Sequence, residues 1–188
     1  AAMDRVATHG TRSGRPVRAI PEETRNKTDA GRAQWCITPG TDTDKAPRMT
    51  SGAHASSTDP STWTTFEAAS AEAERRGWHI GYVLHEADPF ACIDLDVKDD
   101  TPPEVLDMYG RIVAETASYT EASRSGRGAH IWVLGNIGSG CKRGGVEVYS
   151  QERFIVCTGN VWHDRPIEER QAMLTNMVSQ MRVIEQEQ

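Results

Sequence analysis

The run Phe90-Ala91-Cys92-Ile93-Asp94-Leu95-Asp96-Val97 sets the tightest limit on what this chain can become. Read as a β-strand, it puts Ala91, Ile93, Leu95 and Val97 on one face and Phe90, Cys92, Asp94 and Asp96 on the other. Aspartate is depleted in strands, so two in the middle of an apolar one call for a reason. One reason is an exposed polar face on an edge strand, which accounts for Asp96 but poorly for Asp94, whose face also carries Phe90 and Cys92. The other is chemical. Carboxylates about 6–7 Å apart on one strand face can bridge two divalent ions about 3.5–4 Å apart, the arrangement used by polymerases and nucleases.

The charge pattern sharpens this. The net charge of −6 does not suggest a nucleic-acid binder, but the distribution is uneven. Residues 86–107 hold eight acids and one base, whereas residues 122–146 hold four bases (Arg124, Arg127, Lys142, Arg143) and no acid. An acidic patch beside a basic one suits metal ions beside phosphates; ordinary solvated surface charge is the plainer alternative.

A length of 188 residues fits a single domain or two tightly joined lobes. Residues 1–18 lack periodicity and read as a flexible N-terminal arm, leaving residues 19–188 as the catalytic domain. No apolar stretch approaches a membrane span, and no leader pattern is visible. The cysteines (Cys36, Cys92, Cys141, Cys157) are widely separated, with no C-x-x-C pair, which disfavours structural zinc. These features predict a cytoplasmic setting.

A strand is expected at Gln34–Thr38. A helix capped by Ser61 or Asp59 should carry Trp63, Phe66, Ala69 and Ala73 on one face and stop at Gly77. His79–His85 and the Asp strand read as a hairpin turning at Asp88-Pro89. Thr101-Pro102-Pro103-Glu104 reads as a capping box before a helix with Val105, Met108, Tyr109, Ile112 and Val113 on its apolar face. Strands are expected near His130–Leu134, Val146–Tyr149 and Arg153–Thr158, then a helix from Pro166 to Met181. Strands and helices mix without regular βαβ alternation, so the fold class is α+β.

Three segments after the Asp strand look chemical. In Ser123-Arg124-Ser125-Gly126-Arg127-Gly128-Ala129-His130, the glycines let backbone N–H groups approach an anion. Ser125 adds a hydroxyl there, Arg124 and Arg127 add charge, and His130 can donate to a phosphate oxygen. An exposed hairpin could use the same residues. In Lys142-Arg143-Gly144-Gly145-Val146-Glu147-Val148-Tyr149, Glu147 is either a third metal carboxylate or a solvent-facing strand residue. Tyr149 shares its face, where it would meet the sugar if the substrate is a nucleotide, or else packs against the sheet. Gln151–Gly159 supplies a basic-tipped strand beginning at Arg153.

The order hhDhD, S-x-S-G-x-G-x-H, K-R-G-G-h-E-h-Y and R-F-h-h-x-T-G resembles the primase-polymerase domain of phage and plasmid replication proteins, within the archaeo-eukaryotic primase superfamily. The resemblance runs from about Trp35 to Gly159 and includes the lead-in Ala55–Trp63. It implies an RRM-like catalytic sheet packed with a second αβ unit. It implies Asp94, Asp96 and Glu147 as ligands of a two-ion Mg²⁺ or Mn²⁺ site, and His130 as a contact to the phosphates of the incoming nucleotide. Arg143 and Arg153 match basic positions near the triphosphate. The implied activity is primer synthesis and extension on a single-stranded DNA template from NTPs or dNTPs, with a helicase domain as a common companion. A metal-dependent nuclease could use the same carboxylates without a triphosphate cradle, and a non-catalytic nucleotide- or nucleic-acid-binding module could keep the fold alone.

Overall fold

The computed structural model describes residues 33–41 and 43–186, with side chains to residue 183; the expected arm over residues 1–18 lies outside them. In chain order the elements are β1 (Trp35–Thr38), a 3₁₀ turn (Pro60–Thr62), α1 (Phe66–Arg76), β2 (His79–Leu84), β3 (Phe90–Leu95), α2 (Pro103–Thr116) and β4 (Thr120–Ala122). They continue as β5 (Ala129–Leu134), β6 (Cys141–Arg143), β7 (Val146–Tyr149), β8 (Arg153–Cys157), β9 (Val161–His163), β10 (Glu168–Glu169) and α3 (Gln171–Gln186). The architecture is mixed α and β with antiparallel ladders, as an α+β class requires; among the described residues only the short β10 pairs in parallel, with β5.

Two sheets form. The smaller runs β1-β2-β8 and the larger β6-β7-β3-β5-β4-β9. In the larger sheet, side-chain alternation turns Ala91, Ile93, Leu95, Ile131 and Val148 toward Tyr109 and Val113 of α2 and Leu174, Val178 and Met181 of α3. The opposite face meets the smaller sheet. There Phe90, Cys92 and Trp132 pack on Trp35, Ile37, Ile80, Tyr82 and Ile155. Edge-to-face ring pairs line this seam: Tyr82–Phe90 and Tyr82–Trp132, both at 5.9 Å between centroids, join the sheets, while Trp35–Tyr82 at 5.2 Å and Phe90–Trp132 at 6.4 Å lie within one sheet each. Such pairs add roughly 0.5–1.5 kcal/mol each beyond simple burial. All four cysteines are buried and free.

The expected hairpin of β2 and β3 does not form. A turn at Asp88 does join them, but β2 pairs with β1 and β8 whereas β3 pairs with β5 and β7. Asp88 carries the chain from one sheet to the other. Its buried carboxylate accepts hydrogen bonds from Gln34 Nε2 (2.7 Å), the Tyr82 hydroxyl (3.1 Å) and the backbone N–H groups of His85 (3.1 Å) and Phe90 (2.9 Å).

Helix starts also differ. Asp59 caps the 3₁₀ turn by accepting from the Ser61 N–H, and Thr65 caps α1 through the Ala68 N–H, so Trp63 precedes the helix rather than sharing its face. Pro102 occupies the N-cap of α2 without a side-chain bond, and the Thr101 hydroxyl accepts from the Lys98 N–H instead, so no capping box forms. The final helix begins at Gln171, because Glu168–Glu169 pair with β5. Gly77 does end α1, at φ 66° with nothing near the position a Cβ would take. Gly77→Ala therefore isolates left-handed backbone strain. It is expected to cost about 1 kcal/mol, read as a lower urea midpoint at unchanged slope.

Candidate active site

Beyond the aromatic seam the sheets part and leave a cleft of about 660 Å³. Its floor is the ladder of the larger sheet. In that ladder Asp94 stands directly opposite Glu147 of β7 on one side and His130 of β5 on the other. The register continues outward, Lys142 opposite Glu147 and Glu121 opposite His130. Residues opposed in a ladder share a face, so Lys142, Glu147, Asp94, His130 and Glu121 form one transverse row across five strands. Asp96 lies one residue beyond the end of β3 and lines the same cleft, its N–H donating to the Gly145 carbonyl at 2.8 Å.

The electrostatics of the row are lopsided. Burial raises Asp94; Glu147 and Asp96 repel its charge, while His130 and Arg153 pull the other way, and the carboxyl ends above its usual range. Its Oδ1 lies 3.6 Å from His130 Nε2. Burial also acts on Glu147, but hydrogen bonds from Lys142 and Tyr149 and the charges of Lys142 and Arg153 outweigh it and hold that carboxyl low. Lys142 Nζ donates to Glu147 Oε1, the Tyr149 hydroxyl donates to Oε2 at 2.7 Å, and Arg153 reaches Oε2 at 3.2 Å while its guanidinium lies 4.5 Å above the Tyr149 ring. Burial likewise raises Glu121, against the opposing pull of His130 and three hydrogen bonds. Among the described residues, no three acidic, histidine or cysteine side chains are gathered at metal-ligating distance. The carboxylates are drawn instead to Lys142, Arg153 and His130.

The walls are cationic. From one side, the tight loop Ser123–Gly128 closes through Ser123 N–H to Gly128 O (2.9 Å) and Gly126 N–H to Ser123 O (2.9 Å), and presents Arg124, Ser125 and Arg127 to the cleft. Arg127 pairs with Asp99, and Arg124 reaches across to the carbonyls of Pro39 (2.9 Å) and Asp44 (3.2 Å). From the other side come Lys45, Ser57 and the β8 residues Arg153 to Val156.

Of the residues singled out in the sequence, Asp94, Asp96, Glu147, His130, Ser125, Arg127 and Arg153 all line the cleft. Gly128 packs beneath it, where a Cβ would lie 2.4 Å from the Leu95 carbonyl. Tyr149 holds Glu147 rather than lining the opening. Arg143 is not brought to the site. The β6–β7 register sets it opposite Val146 on the helix-packed face, and Lys142, one residue earlier, takes the cleft side. That parity follows once β6 is known to be a strand, but three residues are too few to show alternation. Lys45 sits in a loop with no local signal, and Glu121 in a three-residue strand too short to stand out in the sequence.

Acids on the floor and cations on both walls give an open groove with the charge pattern that metal ions beside phosphates require. Similarity to known proteins narrows this further. Residues 27–173 match the family model for the bifunctional DNA primase/polymerase, N-terminal domain, and the chain belongs to that family. It is similar to the DNA primase-polymerase of Nitratiruptor phage NrS-1, 36% identical over 143 residues, which cover 71% of this chain and 20% of the relative. The chain therefore spans about a fifth of that relative's length. No helix among the described residues is long and apolar enough to cross a membrane.

Proposed function

We propose that this domain catalyses template-directed nucleotidyl transfer, making and extending primers on single-stranded DNA from NTPs or dNTPs. The observation that carries the reading is the transverse row. The ladder puts Glu147, Asp94 and His130 side by side on the floor of one cleft, with Asp96 next to them and arginines on both walls. The larger sheet corresponds to the RRM-like catalytic sheet of an archaeo-eukaryotic primase fold, and the smaller sheet with α1 to the second αβ unit.

The donor set suits Mg²⁺ or Mn²⁺. Asp94, Asp96 and Glu147 offer only carboxylate oxygens, which hard cations prefer, and the repulsion Asp94 feels from the other two is what such a cation would relieve. Two ions held there would lower the pKa of the attacking 3′-hydroxyl and neutralise the departing pyrophosphate. The chain's own part is placement. Arg153 and Lys142, which now neutralise Glu147, stand ready to turn to phosphate oxygens, and the Ser125–Arg127 loop offers a hydroxyl, N–H groups and a guanidinium from the opposite wall. His130 Nε2 faces the same space. The Arg127–Asp99 pair is exposed and holds Arg127 only weakly, so a triphosphate can compete for it.

The reach of this chain suggests that other parts of a longer protein, a helicase domain among them, present the template. The test is incubation with single-stranded DNA and labelled nucleotides in Mg²⁺ or Mn²⁺, with and without a primer. Products longer than the primer, and products without one, are expected. Template shortening without incorporation would instead mark a nuclease. In the same assay His130→Ala should raise the KM for nucleotide about tenfold, with metal affinity retained by titration.

A further inference from the structure

Among the described residues Glu121 is the most deeply buried acid, 1% exposed, and the nucleotidyl-transfer reading gives it no task. Its Oε1 accepts the Thr158 N–H at 2.9 Å, and its Oε2 accepts the Gly159 N–H at 3.0 Å and the Tyr119 hydroxyl at 3.1 Å. The Thr158 hydroxyl donates in turn to the Ala122 carbonyl at 2.6 Å. These bonds stitch β4, in the larger sheet, to the segment leaving β8, in the smaller one.

Two residues before Thr158, the Val156 carbonyl lies 3.0 Å from His130 Nδ1. A carbonyl can only accept, so Nδ1 carries a proton and Nε2 is the atom turned to the cleft and Asp94, where a second proton on the ring lets it donate to a phosphate oxygen. Glu121 also lies directly across the ladder from His130. Both supports of the imidazole, its own strand and the carbonyl that fixes its tautomer, are thus tied to one carboxylate. Holding a turn alone would not demand an acid this deep, since burying an acid is costly and an amide or hydroxyl oxygen can satisfy an N–H.

We propose that Glu121 is the positioning residue for His130: by clamping the end of β8 to β4 it fixes the Val156 carbonyl, and with it the orientation of the ring and the nitrogen offered to phosphate. The functional half of this inference rests on the reading of His130 as a phosphate contact; the structural half does not.

Glu121→Gln keeps the volume, but one end of its amide donates and cannot accept both N–H groups. The ring nitrogens of His130 are then followed by ¹⁵N NMR in the folded variant, alongside nucleotide kinetics. The expected result is loss of the hydrogen-bonded Nδ1–H signal, with KM for nucleotide raised about tenfold and kcat little changed. Added to His130→Ala, Glu121→Gln should bring no further loss. An unchanged ring spectrum, or additive losses in the double variant, overturns the proposal. Should Glu121→Gln fail to fold, Tyr119→Phe removes one bond to the same carboxylate, and ring signals unmoved in that variant overturn it equally. If His130→Ala itself leaves KM unchanged, the phosphate-contact reading falls, and the ring spectrum still decides whether Glu121 sets the imidazole.

Discussion

Asp94→Asn is expected to lower nucleotide incorporation on the order of 10³-fold or more while the protein melts at the same temperature or higher. The two halves have one cause. Burial and repulsion from Glu147 and Asp96 raise the Asp94 carboxyl above its unfolded value. The native state therefore binds this proton more tightly than the unfolded chain, and the contribution to stability falls as pH rises through the interval between the two values. Once ionised, the carboxylate is a strain on the fold. An amide of the same shape removes that strain and, with it, the charge that a cation would need. Calorimetry beside the primer-extension assay checks both. A folded Asp94→Asn that extends primers at the parental rate would remove Asp94 from the chemistry, and a marked drop in melting temperature would refute the electrostatic account.

Gly128→Ala should damage both properties. The new Cβ would sit 2.4 Å from the Leu95 carbonyl and 3.0 Å from Ser123 Oγ, and the first of these is backbone that cannot swing aside. Leu95 pairs with Ala129 in the ladder, so relief must come from parting β3 and β5 at the end that carries Asp94 and His130. Overpacking of this kind costs roughly 1–3 kcal/mol. A displacement near 1 Å between groups that act together can cost on the order of 10²-fold in rate. Urea melts and single-turnover incorporation measure the two losses, and a Gly128→Ala variant matching the parent in both would show that the loop has slack the packing denies.

Which residues share the cleft was largely legible in the sequence, because strand alternation fixes faces without knowledge of partners. Asp94 and Glu147 each interrupt an apolar alternation, and both meet in the cleft. Pairing over distance was not legible. The Asp88-Pro89 turn looks alike whether it closes a ladder or carries the chain to another sheet, and the partner of Ile80 is Cys157, far along the chain. Short strands hid the rest. Three residues of β6 do not reveal that Lys142, not Arg143, faces the acids, and three residues of β4 do not mark Glu121 as inward. The Thr101 cap failed for a local reason: a hydroxyl can serve either the helix or the turn before it, and here the Lys98 N–H claimed it.

Asp94 stands four residues beyond Phe90 on β3, about 13 Å along the strand. The rings of Trp35, Tyr82, Phe90 and Trp132 press the sheets together at the near end, while Asp94 and the β8 wall diverge at the far one. Mechanically this is a wedge held at two points, the aromatic packing and the Glu121 bonds that tie the end of β8 to β4. A few tenths of an ångström gained or lost between rings is felt at the mouth of the cleft. The gauge of that mouth is therefore written in side chains that do not line the cleft, and drift in their volumes would retune its width without altering a single charged group.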